Sequence, residues 1–306
     1  MSLFKKSKTI ITHNGSFHPD DVFSVAVIDI YLTQRKQTYK IIRTRNPKLF
    51  KKANYLIDVG GTHNETENKF DHHQFGGSGQ RKNGIPFASF GLVWKKFSIS
   101  ITQSERISQK IDKKLVQPID AFDNGFGDLK SISNTNEILP YTIDHFIRSL
   151  NPNWLDGLSQ DLTLKKFKRA VSYAKEILMA EINSAKAEID SEEILDMLYE
   201  QTEDKRYLII DKNYPWNFYL QKYPELLFVI EPAKEGPNFE LEAVQTGKTL
   251  FERRKYLPND WAGLRDQKLQ EATGVKDAVF CHNGKFLAVA GSLEGAKSLV
   301  LKALEN

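Results

Sequence analysis

The sequence predicts a two-domain α/β protein, in which a mainly parallel sheet flanked by helices is followed by a long connecting helix and a smaller α+β domain. Three observations support this prediction. Short β-branched strands alternate with helices near the start of the chain, a long amphipathic helix follows, and strand patterns return in the last third. A chain of 306 residues is also long enough to bury two cores.

The alternation begins with the run Lys8-Thr-Ile-Ile-Thr-His13, which is β-branched and enters an Asn-Gly loop, as a buried strand would. Pro19 and the two acidic residues after it favour a helix start, and the apolar residues that follow predict a buried helix. Residues 39–43 and 54–58 predict two further strands. This order of strands and helices is typical of a parallel sheet.

Helical patterns then dominate the middle of the chain, at 88–97, 104–122, 136–150 and, as the connecting helix, 167–189. Strand patterns return at 207–211, 226–230, 239–244 and 278–282, and helices are expected at 264–272 and 293–304. We therefore predict a first domain over residues 1–200, which includes the connecting helix, and a second over residues 201–306.

The composition is that of an ordinary globular enzyme, with 40% hydrophobic and 27% charged residues. The net charge of +4 suits anionic substrates but does not demonstrate nucleic-acid binding. No apolar run is long enough to cross a bilayer, the first residues lack the apolar core of a secretory signal, and the single Cys281 allows no internal disulfide. We expect a cytoplasmic protein with no membrane partner.

Histidines and aspartates are concentrated in the first quarter of the chain. The histidines there are five of the seven in the sequence, and the set comprises His13, His18, His63, His72, His73, Asp20, Asp21, Asp58 and Asp71. Imidazole and carboxylate ligands suit Mn²⁺, Mg²⁺, iron or Zn²⁺. His13 and Asp58 lie at predicted strand ends, where functional residues of parallel sheets collect. The pattern predicts a two-metal hydrolase site, whereas His63 lies in a polar run and is expected to be exposed.

An ordered series of motifs covers nearly the whole chain. In the first half these are Thr12-His-Asn-Gly-Ser-Phe-His18, Ile57-Asp-Val-Gly-Gly61, Phe70-Asp-His-His-Gln74, Gly91-Leu-Val-Trp94 and Asp120-Ala-Phe-Asp-Asn-Gly125. In the second half they are Arg254-Lys-Tyr-Leu-Pro258, Trp261-Ala-Gly-Leu-Arg265 and Val279-Phe-Cys-His-Asn-Gly284. The series resembles the DHH phosphoesterase superfamily and, within it, the melanocyte-proliferating-gene-type branch of metal-dependent hydrolases or exonucleases.

The resemblance implies a ligand set for two divalent cations, with Mn²⁺ preferred and Mg²⁺ as the alternative. His13, His18 and Asp58 would hold one cation. Asp20, Asp58 and His72 would hold the second, so that Asp58 bridges the pair. His18 stands where many relatives in the wider superfamily carry an aspartate, and this difference leaves the preferred metal open.

The resemblance also implies roles around the metals. Asp120 would supply the carboxylate of the fourth motif, and Asp123 is close enough in sequence to be the alternative. His73 would face the substrate phosphate, and Asp71 would orient the neighbouring imidazoles. His73 and Asp71 are therefore the candidate catalytic residues.

Four more residues are candidates for substrate binding. Arg81 lies in a glycine-rich loop after the third motif and could close on a phosphate, although solvated loop charges are equally common. Arg254 and Arg265 could contact a nucleic-acid backbone, or they could belong to a hydrated surface. His282 matches a position at which relatives bind substrate; without the resemblance it would be an ordinary hairpin turn.

These patterns favour a metal-dependent phosphoesterase that hydrolyses phosphodiester bonds, with metals in the first domain and substrate bound across a cleft by the second. The resemblance implies 3′–5′ exonuclease action on RNA or short oligonucleotides. One alternative is a phosphatase or pyrophosphatase that acts on a small phosphoanhydride or nucleotide. Another is a non-catalytic, metal-containing nucleic-acid-binding protein. The sequence leaves the oligomeric state open, a homodimer being one alternative.

Overall fold

A computed structural model describes residues 7–126, 138–157, 159–249 and 251–306. The chain forms two compact units, residues 1–185 and residues 186–306. The dividing point lies inside the long helix, so this helix contributes to both units. Among the described helices, none combines the length and the apolar character that a bilayer crossing requires.

The first unit contains a four-stranded sheet in which every pairing is parallel. Its strands are β1 (Lys8–Thr12), β2 (Tyr39–Arg43), β3 (Tyr55–Ile57) and β4 (Lys69–Phe70). Their spatial order is β2-β1-β3-β4, so β1 and β3 are neighbours at the centre. This arrangement confirms the predicted parallel sheet, and it brings the carboxyl ends of all four strands to one edge.

Within the described residues, the helices that accompany this sheet are α1 (Pro19–Gln34), α2 (Pro47–Phe50), α3 (Ser89–Thr102), α4 (Glu105–Ile111), α5 (Gln117–Asp123) and α6 (Ile143–Ser149). The helix predicted over 104–122 is present, but a π-helical turn at Asp112–Val116 separates α4 from α5. The helix predicted over 136–150 begins at Ile143, because the Thr142 side chain accepts a hydrogen bond from the third helical N–H and so caps the helix there. Residues 136 and 137 of that prediction lie outside the described residues.

In the core of the first unit, α1 packs against the sheet and against α3. Nearly every apolar side chain of α1 is buried, which agrees with its apolar character on all sides. The ring of Phe23 on α1 packs 5.3 Å from that of Phe90 on α3. This packing fixes the first turn of α1 and the start of α3 beside the carboxyl ends of β1 and β3.

The long helix α7 (Gln160–Gln201) extends the predicted connecting helix at both ends. After it come β5 (Tyr207–Ile209), β6 (Phe228–Pro232), β7 (Phe239–Ala243), α8 (Asp266–Thr273), β8 (Ala278–Cys281), β9 (Leu287–Ala290) and α9 (Leu293–Glu305). The five strands form a sheet of order β5-β6-β7-β9-β8, in which only the first pairing is parallel. This mixed sheet with helices confirms the predicted α+β character of the second part of the chain.

Candidate metal centre

The first half of the site is built where β1 ends and α1 begins. His13 directly follows β1, and His18 is the N-cap residue of α1, whose first turn contains Asp20 and Asp21. The backbone N–H of His18 donates to Asp21 Oδ1 at 2.9 Å. Both aspartates are fully buried, which is unusual for carboxylates that lack a compensating positive charge.

Asp58 occupies the end of β3 in an unusual backbone conformation. Its φ is +52°, in the left-handed region, which costs an L-residue about 1 kcal/mol or more. The backbone N–H of Asp58 donates to Phe70 O at 2.9 Å and so keeps this residue in the sheet. Strained positions of this kind concentrate at functional sites, and here the strained residue carries its carboxylate to the sheet edge.

The two oxygens of Asp58 face two different pairs of imidazoles. Oδ2 lies 3.3 Å from His13 Nε2 and 3.3 Å from His18 Nε2. Oδ1 lies 3.5 Å from His72 Nε2 and 3.4 Å from His73 Nδ1. One carboxylate therefore contacts both halves of the site, which is the geometry required of a bridging ligand.

Three further carboxylates, those of Asp20, Asp21 and Asp123, lie around these halves. Asp21 Oδ2 lies 3.2 Å from His13 Nε2. Asp123 contacts both sides, because its Oδ2 lies 3.1 Å from His72 Nε2 and its Oδ1 lies 3.2 Å from His18 Nδ1. Asp20 Oδ2 is 4.0 Å from His72 Nε2. The possible ligand groups in the described residues are His13–His18–Asp21, Asp58–His72–His73 and Asp20–His72–Asp123.

These groups fit divalent cations. Two ligand atoms that each lie about 2.1 Å from one cation are about 3.0 Å apart at a right angle and about 3.4 Å apart at the tetrahedral angle. The spacings given above for His13, His18, Asp58, His72 and Asp123 cluster around these values. Buried ligand atoms also lack a hydrogen-bond partner among the described residues, namely His13 Nε2, His18 Nδ1, Asp21 Oδ2, Asp58 Oδ2 and His72 Nε2. Cations bound in the two halves of the site would satisfy these atoms.

The electrostatics of the site favour positive charge. Burial lowers the pKa of His13, but the carboxylates of Asp21 and Asp58, whose oxygens lie 3.2 and 3.3 Å from Nε2, outweigh it and raise this pKa to about 10. Burial likewise opposes protonation of His72, yet Asp123 and Asp58 raise its pKa to about 11. Without metal, His13 and His72 therefore hold an additional proton at neutral pH. A divalent cation would take the place of these protons.

The motif Asp71-His72-His73 orients the exposed imidazole of the site. Asp71 is buried and accepts from the backbone N–H of Gly61 at 2.5 Å. Its other oxygen lies 2.7 Å from His73 Nδ1, while the His73 side chain is 61% exposed. When Nδ1 donates to this carboxylate, Nε2 is left to face solvent. Hydrogen bonding to His73 and to backbone N–H groups also outweighs burial and lowers the pKa of Asp71.

Asp120 and Arg81 lie in a separate, buried ion pair. Asp120 Oδ2 is 2.7 Å from Arg81 Nη1, and its Oδ1 accepts from the backbone N–H of Gly91 at 3.0 Å. Arg81 also contacts Asp112 Oδ1 at 2.9 Å, and its side chain is 9% exposed. The structure therefore differs from both expectations: the Arg81 guanidinium is held by two carboxylates instead of lying open in the loop, and Asp123 rather than Asp120 reaches the histidines.

The three other predicted substrate-binding residues lie in the second unit. Arg254 donates to the backbone carbonyls of Leu226 and Gln221 at 2.9 and 2.6 Å, so it braces loops within that unit. Arg265 is exposed at the N-terminus of α8. His282 lies in the turn between β8 and β9, where its Nδ1 accepts a backbone N–H. Their role in substrate binding stays a prediction.

Asp21 belongs to the cluster of histidines and aspartates found in the sequence, but it was not assigned there as a metal ligand. The sequence did contain a signal for this role of Asp21. The residue directly follows Asp20 in the first turn of a helix, where both carboxylates can face the same loop. Asp123 was expected only as the alternative to Asp120.

The chain matches the model of an uncharacterised protein family, UPF0160, labelled MYG1_exonuc, over residues 9–304. The protein belongs to this family. Similar curated members include the MYG1 protein of Dictyostelium discoideum, 26% identical over 97% of each chain, and that of Chlamydia muridarum, 29% identical over 96% of this chain and 97% of its own. The human MYG1 exonuclease is 25% identical over 96% of this chain and 85% of its own length.

Among solved structures, RecJ from Thermus thermophilus in complex with Mn²⁺ gives a TM-score of 0.30 at 11% identity. The match covers 98% of this chain and 53% of the RecJ chain, so the protein spans about half of that enzyme's length.

Proposed function

We propose that this protein is a two-metal phosphoesterase that cleaves phosphodiester bonds as an exonuclease. We further propose that it belongs to the DHH superfamily and acts in the 3′–5′ direction on RNA or short oligonucleotides. The observation that carries the proposal is the carboxylate of Asp58, whose two oxygens face separate pairs of histidines.

In this proposal His13, His18 and Asp58 hold one divalent cation, with Asp21 available beside them. The second is held by Asp20, His72 and Asp123, which together with Asp58 form the other half of the site. Mn²⁺ is the expected metal, with Mg²⁺ as the alternative, since oxygen and imidazole ligands suit both better than thiolate-seeking ions. When bound, such cations lower the pKa of a water molecule and neutralise charge on the phosphate.

The protein's own groups would position the substrate. Asp71 holds the ring of His73 through Nδ1, so Nε2 faces solvent; in the imidazolium form of the ring, this Nε2 can donate a hydrogen bond or a proton to a phosphate oxygen. The buried carboxylates of the centre fix the imidazoles in place before substrate arrives, which reduces the reorganisation needed during the reaction. In the second unit, we propose that residues 201–306 contribute substrate binding, with Arg265 as an exposed cation.

The relatives support a nuclease over the alternative functions, since the human, rat, mouse and bovine members are all named exonucleases. The phosphoanhydride alternative uses the same metals and the same histidines, so the centre itself does not separate the two. A direct comparison of substrates separates them.

The deciding experiment compares three substrates with Mn²⁺ or Mg²⁺: single-stranded RNA, a dinucleotide and pyrophosphate. We expect RNA and the dinucleotide to be cleaved, and RNA labelled at its 5′ end to shorten stepwise if the polarity is 3′–5′. His72→Ala should abolish cleavage, whereas Asp29→Asn, which changes a residue of α1 that pairs with Lys175, should retain it. Hydrolysis of pyrophosphate alone would refute the exonuclease assignment. Activity that survives His72→Ala would refute the metal centre.

A further inference from the structure

A largely apolar pocket adjoins the candidate metal centre in the first unit. Its volume is about 250 Å³. The apolar lining consists of Pro19, Leu115, Pro118, Ile119, Phe122 and Ile143. These side chains come from the start of α1, the π-helical turn, α5 and the start of α6. π-Helical turns are frequent at functional sites, and here the turn contributes Leu115 to the wall.

The pocket and the metal centre share two residues. Asp20 and Asp123 line the pocket, and the same two aspartates form a possible ligand group with His72. Asp123 Oδ2 is 3.1 Å from His72 Nε2. A phosphate held at the centre would therefore lie next to the pocket, and whatever is attached to that phosphate would be within reach of its apolar wall.

The size and lining of the pocket suit a flat, largely apolar ring system. A dry cavity of about 150 Å³ already holds a benzene ring, so a pocket of about 250 Å³ has room for a larger one. The ring of Phe122 is 38% exposed, which leaves part of it available to stack on a planar ligand. Thr142 and Asp144 supply polar groups that can meet the edge of such a ring.

We propose that this pocket binds the nucleobase of the terminal nucleotide whose phosphate lies at the metal centre. The proposal rests on the phosphodiesterase function given above and deepens it, because it assigns a nucleotide as the unit that the site recognises. Inorganic pyrophosphate has no group that would fill an apolar pocket. The pocket would thus favour nucleotides over small phosphoanhydrides, and stacking would tolerate different bases.

The first test compares the cleavage of three short oligonucleotides. One is intact, one lacks the base of its 5′-terminal residue, and one lacks the base of its 3′-terminal residue. For the wild-type protein we expect kcat/KM to fall about tenfold or more when the base at the attacked end is missing, as the loss of one stacked base predicts. Phe122→Ala should lower kcat/KM for the intact substrate by a similar factor and leave the abasic substrate nearly unchanged. Ile99→Ala, which removes another exposed apolar side chain of this unit, should change neither.

The second test measures binding, so that it does not depend on turnover. With Mn²⁺ present, AMP should bind about tenfold or more tightly than ribose 5-phosphate, and Leu115→Trp, which fills the pocket, should remove that difference. Equal affinity for the two ligands in the wild-type protein, or equal cleavage of intact and abasic ends, would overturn the nucleobase pocket while leaving the phosphodiesterase function standing. Base-dependent binding of AMP without cleavage of any oligonucleotide would instead overturn the function and keep the pocket.

Discussion

Substitution of Asp58 by Asn tests the metal centre most directly, because this residue contacts both halves of it. Asn keeps the size of the side chain and, like Asp, tolerates the left-handed backbone conformation found here. The substitution removes the negative charge that lies 3.3 to 3.5 Å from His13, His18 and His72. The fold should therefore remain intact while metal affinity falls.

The expected magnitude follows from ligand linkage. At a free Mn²⁺ concentration 100 times its Kd, binding stabilises the folded protein by about 2.7 kcal/mol. Changing a group that only supports a metal ligand weakens binding by about 10–100-fold, so loss of a direct ligand should reach at least the upper value. The stabilisation then falls to about 0.4 kcal/mol. For a unit of 185 residues, the lost 2.3 kcal/mol or so corresponds to about 5–9 °C in Tm.

Differential scanning calorimetry with and without Mn²⁺ provides the assay. Mn²⁺ should shift the wild-type transition upwards, whereas the transition of Asp58→Asn should move by only about 1–2 °C. Asp29→Asn is the matched control, since it removes the same charge from a carboxylate that pairs with Lys175 outside the site. If Asp58→Asn keeps the full Mn²⁺-dependent shift, Asp58 does not bind the metal and the bridging geometry has no functional meaning.

Three further predictions concern the surroundings of this centre. Asp123→Asn should weaken Mn²⁺ binding about 10-fold or more, as calorimetric titration would show. Asp120→Asn should leave Mn²⁺ binding nearly unchanged but lower the stability measured by urea unfolding, because Asp120 pairs with buried Arg81. The opposite pattern would restore Asp120 as the ligand. Gly91→Ala should destabilise the first unit by about 1–3 kcal/mol, because the new Cβ would lie 1.9 Å from Asp120 Oδ2. This clash should outweigh the better helix propensity of Ala. An unchanged midpoint of urea unfolding would contradict the packing. Burial lowers the pKa of His72, but Asp123 and Asp58 raise it to about 11, so at pH 7 the ring carries a proton that a metal must displace. Mn²⁺ binding should therefore release at least one proton and weaken as pH falls. Calorimetric titration in buffers of different ionisation enthalpy measures this release, and binding heats that do not depend on the buffer would exclude it.

Much of the first unit follows from local sequence patterns. The period of β-branched and apolar residues predicts β1, α1, β2 and β3, and parallel pairing follows from their alternation with helices. His13 and Asp58 could be assigned to one edge because each follows a strand, and the carboxyl ends of parallel strands lie together. The motif with His72 and His73 follows β4, whose carboxyl end lies at the same edge of the sheet.

The choice between Asp120 and Asp123 depended on the tertiary structure. The two residues lie three positions apart on α5 and carry the same carboxylate, so sequence alone cannot distinguish them. A π-helical turn, Asp112–Val116, directly precedes α5, and on that helix Asp123 Oδ2 lies 3.1 Å from His72 Nε2. Asp120 on the same helix instead pairs with Arg81, a residue from a distant loop. Side-chain direction after such an irregularity is set by packing across the whole unit, whereas strand ends and helix starts are set by the residues beside them.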